Sequence, residues 1–426
     1  MQATSTNFWK SLGPGLLFAG TAVGVSHLVQ STRAGAGYGL ALVGLVIVAN
    51  VLKYPAFSFA PRYAAATGTS LLEAYRRQGR WALALYGLVT LGTMFAVQAA
   101  VVVVAAGLAQ ALFGAGVSVL GYALGLTLFA VAINGFGSFG LLDRLIKVVV
   151  VVLTLATVVA TALVIPEIAW GSIAWVPDRA SWTDKDLFFV VALVGWMPTA
   201  LDIGVWHSLW TLARRHQTGH VPKVREVLLD FNIGYIGTAV LALCFLVMGA
   251  GVMYGKGIPF DGTAGGFANQ LIDLYTLSLG AWSRPVIAAA AFGVMLSTVL
   301  TVVDGFPRAL SGLLQRFRAA EIPHHAELQA SASTKTYRLI LLVVGGGSLG
   351  LIAFLGGSLK QLVGLATTLS FLTAPVFAVL NHRAVQSRAM PLECRPRRWM
   401  IRYSLAGIAF QVLFAGYYLW SRFFGG

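Results

Sequence analysis

The chain has 426 residues, of which 58% are hydrophobic and only 11% are charged. Because a soluble domain carries roughly a quarter of charged residues, this composition excludes an ordinary soluble protein and predicts an all-α protein that crosses a membrane several times. The net charge of +15 alone would suggest a nucleic-acid partner, but the placement of the basic residues argues against one.

Apolar stretches long enough to cross a bilayer as a helix recur along the whole chain. We predict eleven such segments in a single transmembrane domain of residues 1–426. Segments 1–5 lie within about 12–165, segments 6–10 within about 187–381, and segment 11 spans about 401–424. Their predicted bounds are 12–34, 37–64, 82–113, 117–137, 142–165, 187–213, 228–254, 283–314, 337–356, 360–381 and 401–424.

The basic residues distinguish the two sides of the membrane. With a cytoplasmic N-terminus, 22 of the 30 lysine and arginine residues fall on the inner side, as the positive-inside rule expects. This placement predicts a plasma (inner) membrane protein whose basic loops contact anionic lipid, and no nucleic-acid partner. The expected partners are the lipid bilayer and a small inorganic or organic substrate. The sequence leaves the oligomeric state open and favours a monomer.

Few residues point to a cofactor or to an enzyme. The two cysteines, Cys244 and Cys394, are too few for a metal cluster and predict no disulfide. The opening residues lack the features of a signal peptide, so we expect segment 1 to be retained. No nucleophile–base pair and no nucleotide-binding loop is apparent in the sequence, so we expect no enzymatic activity and no permanently bound cofactor.

Segments 1 and 6 contain a similar polar interruption. Segment 1 includes TAVGVSH (21–27) and segment 6 includes TALDIGVWH (199–207). Gly24, Pro198 and Gly204 are predicted to break the two helices. Peptide groups freed by a break cannot face lipid, so they must face protein, water or a ligand. Matching breaks in two five-helix halves predict an inverted-repeat transporter with its substrate near the middle of the membrane.

Three titratable side chains near these breaks are candidates for substrate binding or proton transfer. Asp202 is the only acid in the central part of segment 6 and is the strongest candidate, because a carboxylate there is costly unless it is paired, protonated or functional. His27 is predicted to be a ligand or a proton relay, and His207 a proton relay nearer the inner end. For both histidines the alternative is a packed side chain that is hydrogen-bonded to a neighbouring helix.

Two further charged residues lie in or beside the apolar segments. Lys53 in segment 2 has three alternatives: it pairs with Asp202, it is a fixed cation in place of a coupling ion, or it extends toward the cytoplasm. The last of these is favoured. Asp230, at the start of segment 7, is predicted to belong to a proton path or an inner gate, with a helix cap as the alternative.

Several motifs resemble the Nramp family of divalent-metal transporters, within the amino acid–polyamine–organocation superfamily. They are GPGLLFA, AATGTSLLEAYR, MP followed by HS, and EVLLDFN, and the similarity covers almost the whole chain. The resemblance implies the leucine-transporter-type fold, with segments 1–5 and 6–10 as inverted repeats, discontinuous helices 1 and 6, and segment 11 as an addition. It also implies alternating access, usually coupled to protons.

In helix 1 the sequence departs from the family pattern. The family's metal site includes Asp-Pro-Gly-Asn, whereas this chain has Gly24, Val25, Ser26 and His27 at those positions. The metal-binding acid of helix 1 is therefore absent.

Helices 6 and 10 depart from the pattern as well. The family has Met-Pro-His in helix 6, whereas this chain has Met197 and then Thr199 on either side of the proline. Anchoring the comparison on the later His-Ser pair instead places Asp202 where the family has that histidine, and the sequence leaves this register open. The family's helix-10 glutamine is replaced by Thr367 and Thr368.

These residues lead to one predicted function and two alternatives. We expect a proton-coupled carrier of a divalent metal with an altered, mixed N/O/S site. A carrier of a small organic solute such as an amino acid is the first alternative, because loss of the helix-1 acid opens space. A transport-incompetent sensor is the second. The predicted substrate-binding residues are Gly24, Ser26, His27, Met197, Thr199 and Asp202, with Thr367 and Thr368 as a wall.

Overall fold

The computed structural model describes residues 9–136, 140–168, 170, 175, 182–318 and 335–424, with only the backbone described at 136 and 140–149. Within these ranges the regular structure is helical, without strands. The helices are α1 (Pro14–Ala22), a π-helix (Ser26–Ser31), α2 (Thr32–Tyr38), α3 (Val43–Thr67), α4 (Leu71–Gln78), α5 (Arg80–Phe113), α6 (Val119–Phe136), α7 (Gly140–Val164), α8 (Asp184–Gly195), α9 (Ile203–Thr218), α10 (Val224–Val252), α11 (Ala264–Leu279), α12 (Arg284–Arg318), α13 (Lys335–Phe354), α14 (Leu359–Gln386) and α15 (Arg398–Phe424).

Eight helices in the described part of the chain are long and apolar enough to cross a membrane, which confirms an integral multi-pass membrane protein. They are α3, α5, the described part of α7 with the following turn, α10, α12, α13, α14 and α15. A shorter apolar helix covers Val119–Gly135. The count of eleven spans stays a prediction, and residue 137, the end of predicted segment 4, lies outside the described residues.

Glycines end several of these helices where the sequence permits a left-handed backbone. Gly68 follows α3 with φ 66° and ψ 16°, and Gly79 follows α4 with φ 126°. Other residues rarely adopt such angles, so the chain turns sharply between α3, α4 and α5. This turn places the short helix α4 across the ends of the longer helices.

Two of the predicted segments are interrupted. In segment 1, α1 ends at Ala22, and residues 23–24, the first break, precede the π-helix and α2. In segment 6, α8 ends at Gly195, and residues 196–202, the second break, have no regular helix. Discontinuous helices at both predicted segments agree with the sequence analysis.

The position of Gly204 differs from its predicted place in a break. It is the second residue of α9, after the chain has already resumed its helix. A Cβ at Gly204 would lie 3.4 Å from Asn381 and 3.6 Å from Ala60, which are close to ordinary packing distances. The break instead contains Pro198, which lacks the N–H that a continuing helix needs.

The continuous helix α10 packs against both halves of the interrupted segment 1. A Cβ at Gly15 of α1 would overlap the backbone of Asp230, and one at Gly234 would overlap the backbone of Gly15. On the other side of the break, a Cβ at Gly35 would overlap the backbone carbonyl of Leu246. Small residues at membrane interfaces allow this backbone-to-backbone approach.

The short helix α4 connects the second half of segment 6 to other helices. The Leu71 N–H, at the start of α4, donates to Ser208 Oγ of α9 at 3.0 Å. The Tyr75 hydroxyl donates to Asn381 Oδ1 of α14 at 2.6 Å, and both side chains are buried. One N-terminal donor of α4 is therefore satisfied by a neighbouring helix.

Glu73 of α4 is surrounded by arginines. Its carboxylate accepts from Arg76 at 2.7 Å and from Arg77 at 2.9 Å, and it forms an ion pair with Arg316 of α12 at 2.8 Å. Burial alone would raise the pKa of Glu73, but the Arg76 hydrogen bonds and the charges of Arg316, Arg76 and Arg77 hold it below its usual value. The ionised carboxylate thus links α4 to the end of α12.

Candidate functional site

A cavity lies between the two breaks. Its volume is about 30 Å³, enough for roughly two water molecules. The elements around it are α1, the residues directly after the first break, the second break, and helices α5, α9 and α12. Its lining residues are Thr21, Ala22, Val25, Ser26, Val97, Val101, Trp196, Thr199, Ala200, Asp202, Ile203, Trp206, Thr298 and Val302.

The polar part of this lining offers oxygen atoms and indole N–H groups. The side-chain oxygens belong to the four hydroxyl residues and to Asp202, which is the only charged residue of the lining. No sulfur or imidazole is present among the lining residues of the cavity. Such a donor set suits a hard cation that keeps part of its water, or a small polar solute.

Asp202 is the only side chain with an ionisable carboxyl group in the lining of this cavity. It is the last residue of the second break, immediately before α9, and only 4% of its surface is exposed. Within the described ranges it has no ion pair with a lysine, arginine or histidine. A buried carboxylate without a cationic partner marks a functional position.

Ser26 connects the two breaks directly. Its Oγ lies 2.9 Å from the Pro198 carbonyl, 2.9 Å from the Ala22 carbonyl and 2.8 Å from Nδ1 of His27. One hydroxyl hydrogen cannot serve all three acceptors at once, so Ser26 is a shared junction. The residue both lines the cavity and joins the segments that form it.

The His27 ring faces α10 instead of the cavity. It is fully buried, and its Nε2 lies 2.9 Å from the Thr238 carbonyl, to which it donates. Nδ1 is then the acceptor position and faces Ser26. The structure therefore places His27 as a hydrogen-bonded link between the first break and α10, which differs from the predicted ligand position.

Met197 and the two threonines of α14 also lie outside the cavity lining. The Met197 sulfur is fully buried and faces the hydroxyl of Ser31, 4.0 Å away. The Thr367 hydroxyl donates to the Val363 carbonyl at 2.7 Å, within its own helix. Thr368 is likewise absent from the cavity lining. Residues of α5 and α12, and none of α14, form the wall of the cavity. Helix α14 instead packs against α8, the helix that precedes the second break.

Gly24 lies at the first break but does not leave the open space expected from loss of the family's acid. A Cβ at Gly24 would lie 3.2 Å from Cγ2 and 3.3 Å from Oγ1 of Thr298. The Thr298 hydroxyl in turn donates to the Gly20 carbonyl at 3.2 Å. Glycine therefore allows α12 to approach the break, and Thr298 occupies part of the space.

His207 is enclosed by aromatic rings. Its ring centroid is 5.7 Å from that of Phe18, 5.6 Å from that of Phe231 and 6.3 Å from that of Trp210. Only 1% of the residue is exposed, and neither ring nitrogen has a hydrogen-bond partner among the described residues. It lies on α9, five positions after Asp202, and does not line the cavity.

Asp230 caps the start of α1. Its Oδ1 accepts from the Gly13 N–H at 3.1 Å and its Oδ2 from the Gly15 N–H at 2.6 Å. These donors are among the four that a helix N-terminus leaves unsatisfied, and a carboxylate there also interacts favourably with the helix dipole. Of the two sequence-based alternatives, the contacts match the helix cap.

Lys53 is placed differently from the favoured sequence interpretation. The side chain is fully buried, and Nζ donates to the carbonyls of Val194 at 2.5 Å and Gly195 at 2.9 Å. These are the last two residues of α8, directly before the second break. The lysine turns inward because the break leaves carbonyls at the end of α8 without their next helical donors.

The sequence analysis missed several polar residues at or near the cavity. Trp206 lines it, and its indole N–H has no partner among the described side chains and backbone. Its spacing of four residues from Asp202 is a helical signal that a search for acids and histidines overlooks. Thr21 begins the TAVGVSH stretch of segment 1 but was not among the predicted ligands, and Thr298 is an ordinary polar residue in an apolar run, without a motif that would mark it.

Two fully buried glutamines lie on the elements that carry the cavity. Gln30 belongs to the π-helix after the first break, and Gln98 lies on α5 between the lining residues Val97 and Val101. Neither side-chain amide has a hydrogen-bond partner within the described structure. The sequence signal for these two residues was a side-chain amide inside an apolar run. Such a group is costly to bury without a hydrogen-bond partner, so it indicates a polar site nearby.

The described residues offer no group that could chelate a metal by itself. No cluster of three or more histidine, cysteine, aspartate or glutamate residues occurs among the residues that the structure describes. A cation in the cavity would contact the Asp202 carboxylate and neutral oxygens from hydroxyls, carbonyls or water. This arrangement fits magnesium- or manganese-like chemistry, in which one or two carboxylates and several waters complete the coordination.

A second, larger cavity is apolar and separate from the breaks. It has a volume of about 400 Å³ and lies between α3, α10 and the start of α15. None of the predicted site residues lines it. The cavity between the breaks is therefore the better candidate for a charged or polar substrate.

Comparison with known proteins identifies relatives over nearly the full length. Residues 15–421 match the family described as natural resistance-associated macrophage protein-like, or Nramp. A protein of Pasteurella multocida (strain Pm70), described as the uncharacterized protein PM0681, is 32% identical over 411 residues, covering 95% of this chain and 91% of that protein.

Solved structures share the fold at low sequence identity. A manganese transporter of Eremococcus coleocola, in complex with an aromatic bis-isothiourea compound, has a TM-score of 0.70 at 15% identity and covers 97% of this chain and 87% of its own. MhsT, solved with L-phenylalanine, has a TM-score of 0.61 at 15% identity, with 99% of each chain covered. The second likeness supports the leucine-transporter-type fold.

Fold, membrane helices and family match agree with one another. Nramp proteins are transporters and not enzymes, as the sequence analysis expected. The family match covers both breaks and the cavity between them. The chain therefore belongs to the Nramp family of membrane transporters.

Proposed function

We propose that this protein is a secondary transporter that moves a divalent metal cation across the membrane by alternating access. The observation that carries the proposal is the Asp202 carboxylate, buried without a cationic partner at a cavity between two interrupted helices. Interrupted helices in this fold place freed peptide groups and polar side chains around a substrate at mid-membrane. The family membership and the manganese transporter among the structural relatives support a metal as cargo.

The donor atoms favour a hard divalent cation that binds with part of its water. Ser26, Thr199 and Asp202 are the predicted ligands that the structure brings to one cavity, and Thr21 and Thr298 add hydroxyls. His27 and Met197, the softer donors of the predicted site, face protein partners instead. We therefore expect magnesium or manganese to be preferred over zinc, nickel or copper.

The direct test is cation uptake by the purified protein in proteoliposomes. We expect uptake of Mg²⁺ or Mn²⁺, and a loss of at least about tenfold for Asp202→Ala, because a tenfold change corresponds to only ~1.4 kcal/mol and a buried counter-charge contributes more. Asp273→Asn is the matched control, because that acid forms an exposed ion pair with Arg284. If the intact protein neither binds nor transports Mg²⁺, Mn²⁺, Fe²⁺, Co²⁺, Ni²⁺ or Zn²⁺, the metal proposal is rejected.

Proton coupling is the finer part of the proposal. Asp202 lies at the cavity immediately before α9, and His207 lies on α9 in an aromatic cluster, with both ring nitrogens unpartnered within the described residues. We propose that a proton released from Asp202 on cation binding moves toward His207. Uptake should then rise with an inward proton gradient, and His207→Gln should remove that dependence. Gradient-independent uptake by the unmodified protein would contradict the coupling.

The membrane arrangement is also proposed. We infer eleven spans in an inverted repeat of five and five, a cytoplasmic N-terminus and a monomer in the plasma (inner) membrane, supported by the distribution of basic residues. In a variant without native cysteines, Lys256→Cys should react with an impermeant maleimide in intact cells. Arg388→Cys should react only after the membrane is opened. The reverse labelling pattern would invert the topology.

A small organic solute is the second candidate. The unpartnered Trp206 N–H at the cavity would donate to a carboxylate or carbonyl oxygen of a solute, and it cannot bind a cation. MhsT shows that the shared fold accommodates L-phenylalanine in another protein. Thermal stabilisation and uptake with an amino-acid panel, but not with metals, would favour this candidate. Binding of either cargo with strictly no flux would favour the sensor alternative.

A further inference from the structure

Lys53 is a buried lysine in the middle of a membrane-spanning helix. It lies on α3 and is fully buried, and Nζ is 2.5 Å from the Val194 carbonyl and 2.9 Å from the Gly195 carbonyl. A lysine that extended to the membrane surface would leave its ammonium group in water. Here the ammonium group instead lies against the carbonyl end of α8.

Among the described residues, no acidic side chain forms an ion pair with Lys53. In the described part of the chain, Lys53 forms no ion pair, and neither Asp202 nor any other carboxylate lies within 4.0 Å of Nζ. Its partners are the two carbonyls and the negative end of the α8 dipole, both of which favour a cation. An ionisable group in a membrane interior is expensive, so its retention requires a use.

The carbonyl end of an interrupted helix is where such carriers bind a small cation. Carbonyls released by the break and the C-terminal end of the half-helix together coordinate sodium or a proton-bearing group in transporters of this architecture. In this chain the corresponding carbonyls, at the last two residues of α8, already bind the Lys53 ammonium group.

We propose that Lys53 is a built-in cation that occupies the carbonyl end of α8 and replaces a bound coupling ion at the second break. Lys53 is then a positioning residue, since it contacts the backbone beside the cavity and not the cargo. Its charge holds the end of α8 next to Trp196, which lines the cavity. The role in transport rests on the proposed function, whereas the cation site itself does not.

This assignment has a consequence for the choice of ions. With the site filled by a side chain, transport and stability of the unmodified protein should be independent of Na⁺ and K⁺. Removing the ammonium group should create a vacancy with two carbonyl acceptors, which a small cation from solution can enter. A vacancy of this kind makes Lys53 testable by chemical rescue.

The experiment compares Lys53→Met and Lys53→Ala with the unmodified protein by thermal unfolding in detergent, without any cargo. Na⁺, K⁺, methylammonium and tetramethylammonium are each added at equal ionic strength. Lys256→Met is the matched control, because Lys256 is exposed. We expect both Lys53 variants to unfold several degrees lower and the control to be unchanged. We expect Na⁺ or methylammonium to restore most of the loss, and tetramethylammonium, which has no N–H, to restore none.

Uptake by the same variants completes the test. We expect Lys53→Met to transport slowly without small cations and to gain a dependence on Na⁺ or methylammonium that the unmodified protein lacks. Two results would overturn the proposal: a Lys53→Met variant as stable and active as the unmodified protein, or a destabilised variant that no small cation rescues. Because unfolding needs no cargo, its outcome stands even if the cargo assignment fails.

Discussion

Residues beside the first break and residues of the second break line one cavity, yet the two breaks are held in different ways. At the first break, Ser26 and His27 form hydrogen bonds with protein groups, and glycines bring α1 and α2 against the backbone of α10. At the second break, the carbonyl end of α8 binds the Lys53 ammonium group, and Asp202 faces the cavity without a cationic partner among the described residues.

This difference shows that similar sequence interruptions do not imply similar chemical roles. The histidine of the first break is a structural link to α10, whereas the acid of the second break is available to cargo. One break is fixed by neutral hydrogen bonds and close packing, and the other by a buried charge. Substitutions at the two breaks should therefore fail in different ways.

The largest expected effect concerns Glu73 of α4. This short helix binds α9, the half-helix after the second break, through the Leu71–Ser208 hydrogen bond, and Glu73 links it to α12. Glu73→Gln should destabilise the protein by about 3–5 kcal/mol near neutral pH, because it breaks the buried ion pair with Arg316. The pKa of Glu73 is held below its usual value, so its stabilisation is present above about pH 4.5 and is lost as the pH falls through the lower folded-state pKa.

Thermal unfolding between pH 7 and pH 3 measures this prediction. The unmodified protein should lose stability in the acid part of that range, and the Glu73→Gln variant should lose less there. Asp273→Asn, at an exposed ion pair, serves as the control with little change near neutral pH. Equal acid sensitivity of the Glu73→Gln variant and the unmodified protein would contradict an ionised, arginine-bound Glu73.

The next largest effect concerns the backbone contact that holds the first break. Gly15→Ala should destabilise by about 3 kcal/mol, because the new methyl group would overlap the backbone of Asp230. Gly20→Ala, in the same helix α1, meets no atom within 4 Å and should be neutral or slightly stabilising. The comparison is read by thermal unfolding, and equal stability of the two variants would remove the proposed packing role of Gly15.

His27→Ala tests whether the first break contributes structure or cargo binding. We expect a loss of stability of about 2 kcal/mol, because the Thr238 carbonyl loses a buried donor and a cavity replaces the fully buried imidazole ring. Cargo affinity should change much less than in Asp202→Ala. Isothermal binding measurements on both variants, beside their unfolding temperatures, decide between the roles. A larger effect on affinity than on stability would make His27 a ligand.

The smallest expected effect concerns Gly24. A methyl group there would press on Thr298 at 3.2 Å and push its side chain away from the Gly20 carbonyl, while the Val294 carbonyl at 3.1 Å can still accept from its hydroxyl. Because Thr298 lines the cavity, Gly24→Ala should weaken cargo binding by about 1 kcal/mol, or roughly fivefold. Gly20→Ala is again the control. Unchanged affinity in Gly24→Ala would exclude Thr298 from the cargo site.

Much of the fold follows from the sequence because its causes are local. Apolar runs of bilayer length predict the long helices, and proline or glycine beside polar residues predicts interruptions. The exact place of the second break was harder to predict. Pro198 and Gly204 both permit a break, and the structure shows that α9 has already begun at Ile203, with Gly204 packed against Asn381 and Ala60.

The candidate site was predicted in part. Asp202, Ser26 and Thr199 reach the cavity as expected from their places at the breaks. The directions of His27 and Met197 could not be predicted, because they depend on the π-helix after the first break and on the fold of residues 196–202, and neither has a periodic signal. The contact of Lys53 with α8 is long-range and depends on tertiary packing.

The glycine contacts along α10 constrain how a transport movement takes place. α10 is unbroken from Val224 to Val252, and both halves of segment 1 lie against it with backbone in contact. Bending at the first break alone would disrupt these backbone contacts on at least one side of the break. We therefore expect segment 1 and α10 to tilt together against the neighbouring helices during transport, with little contribution from bending at Gly24.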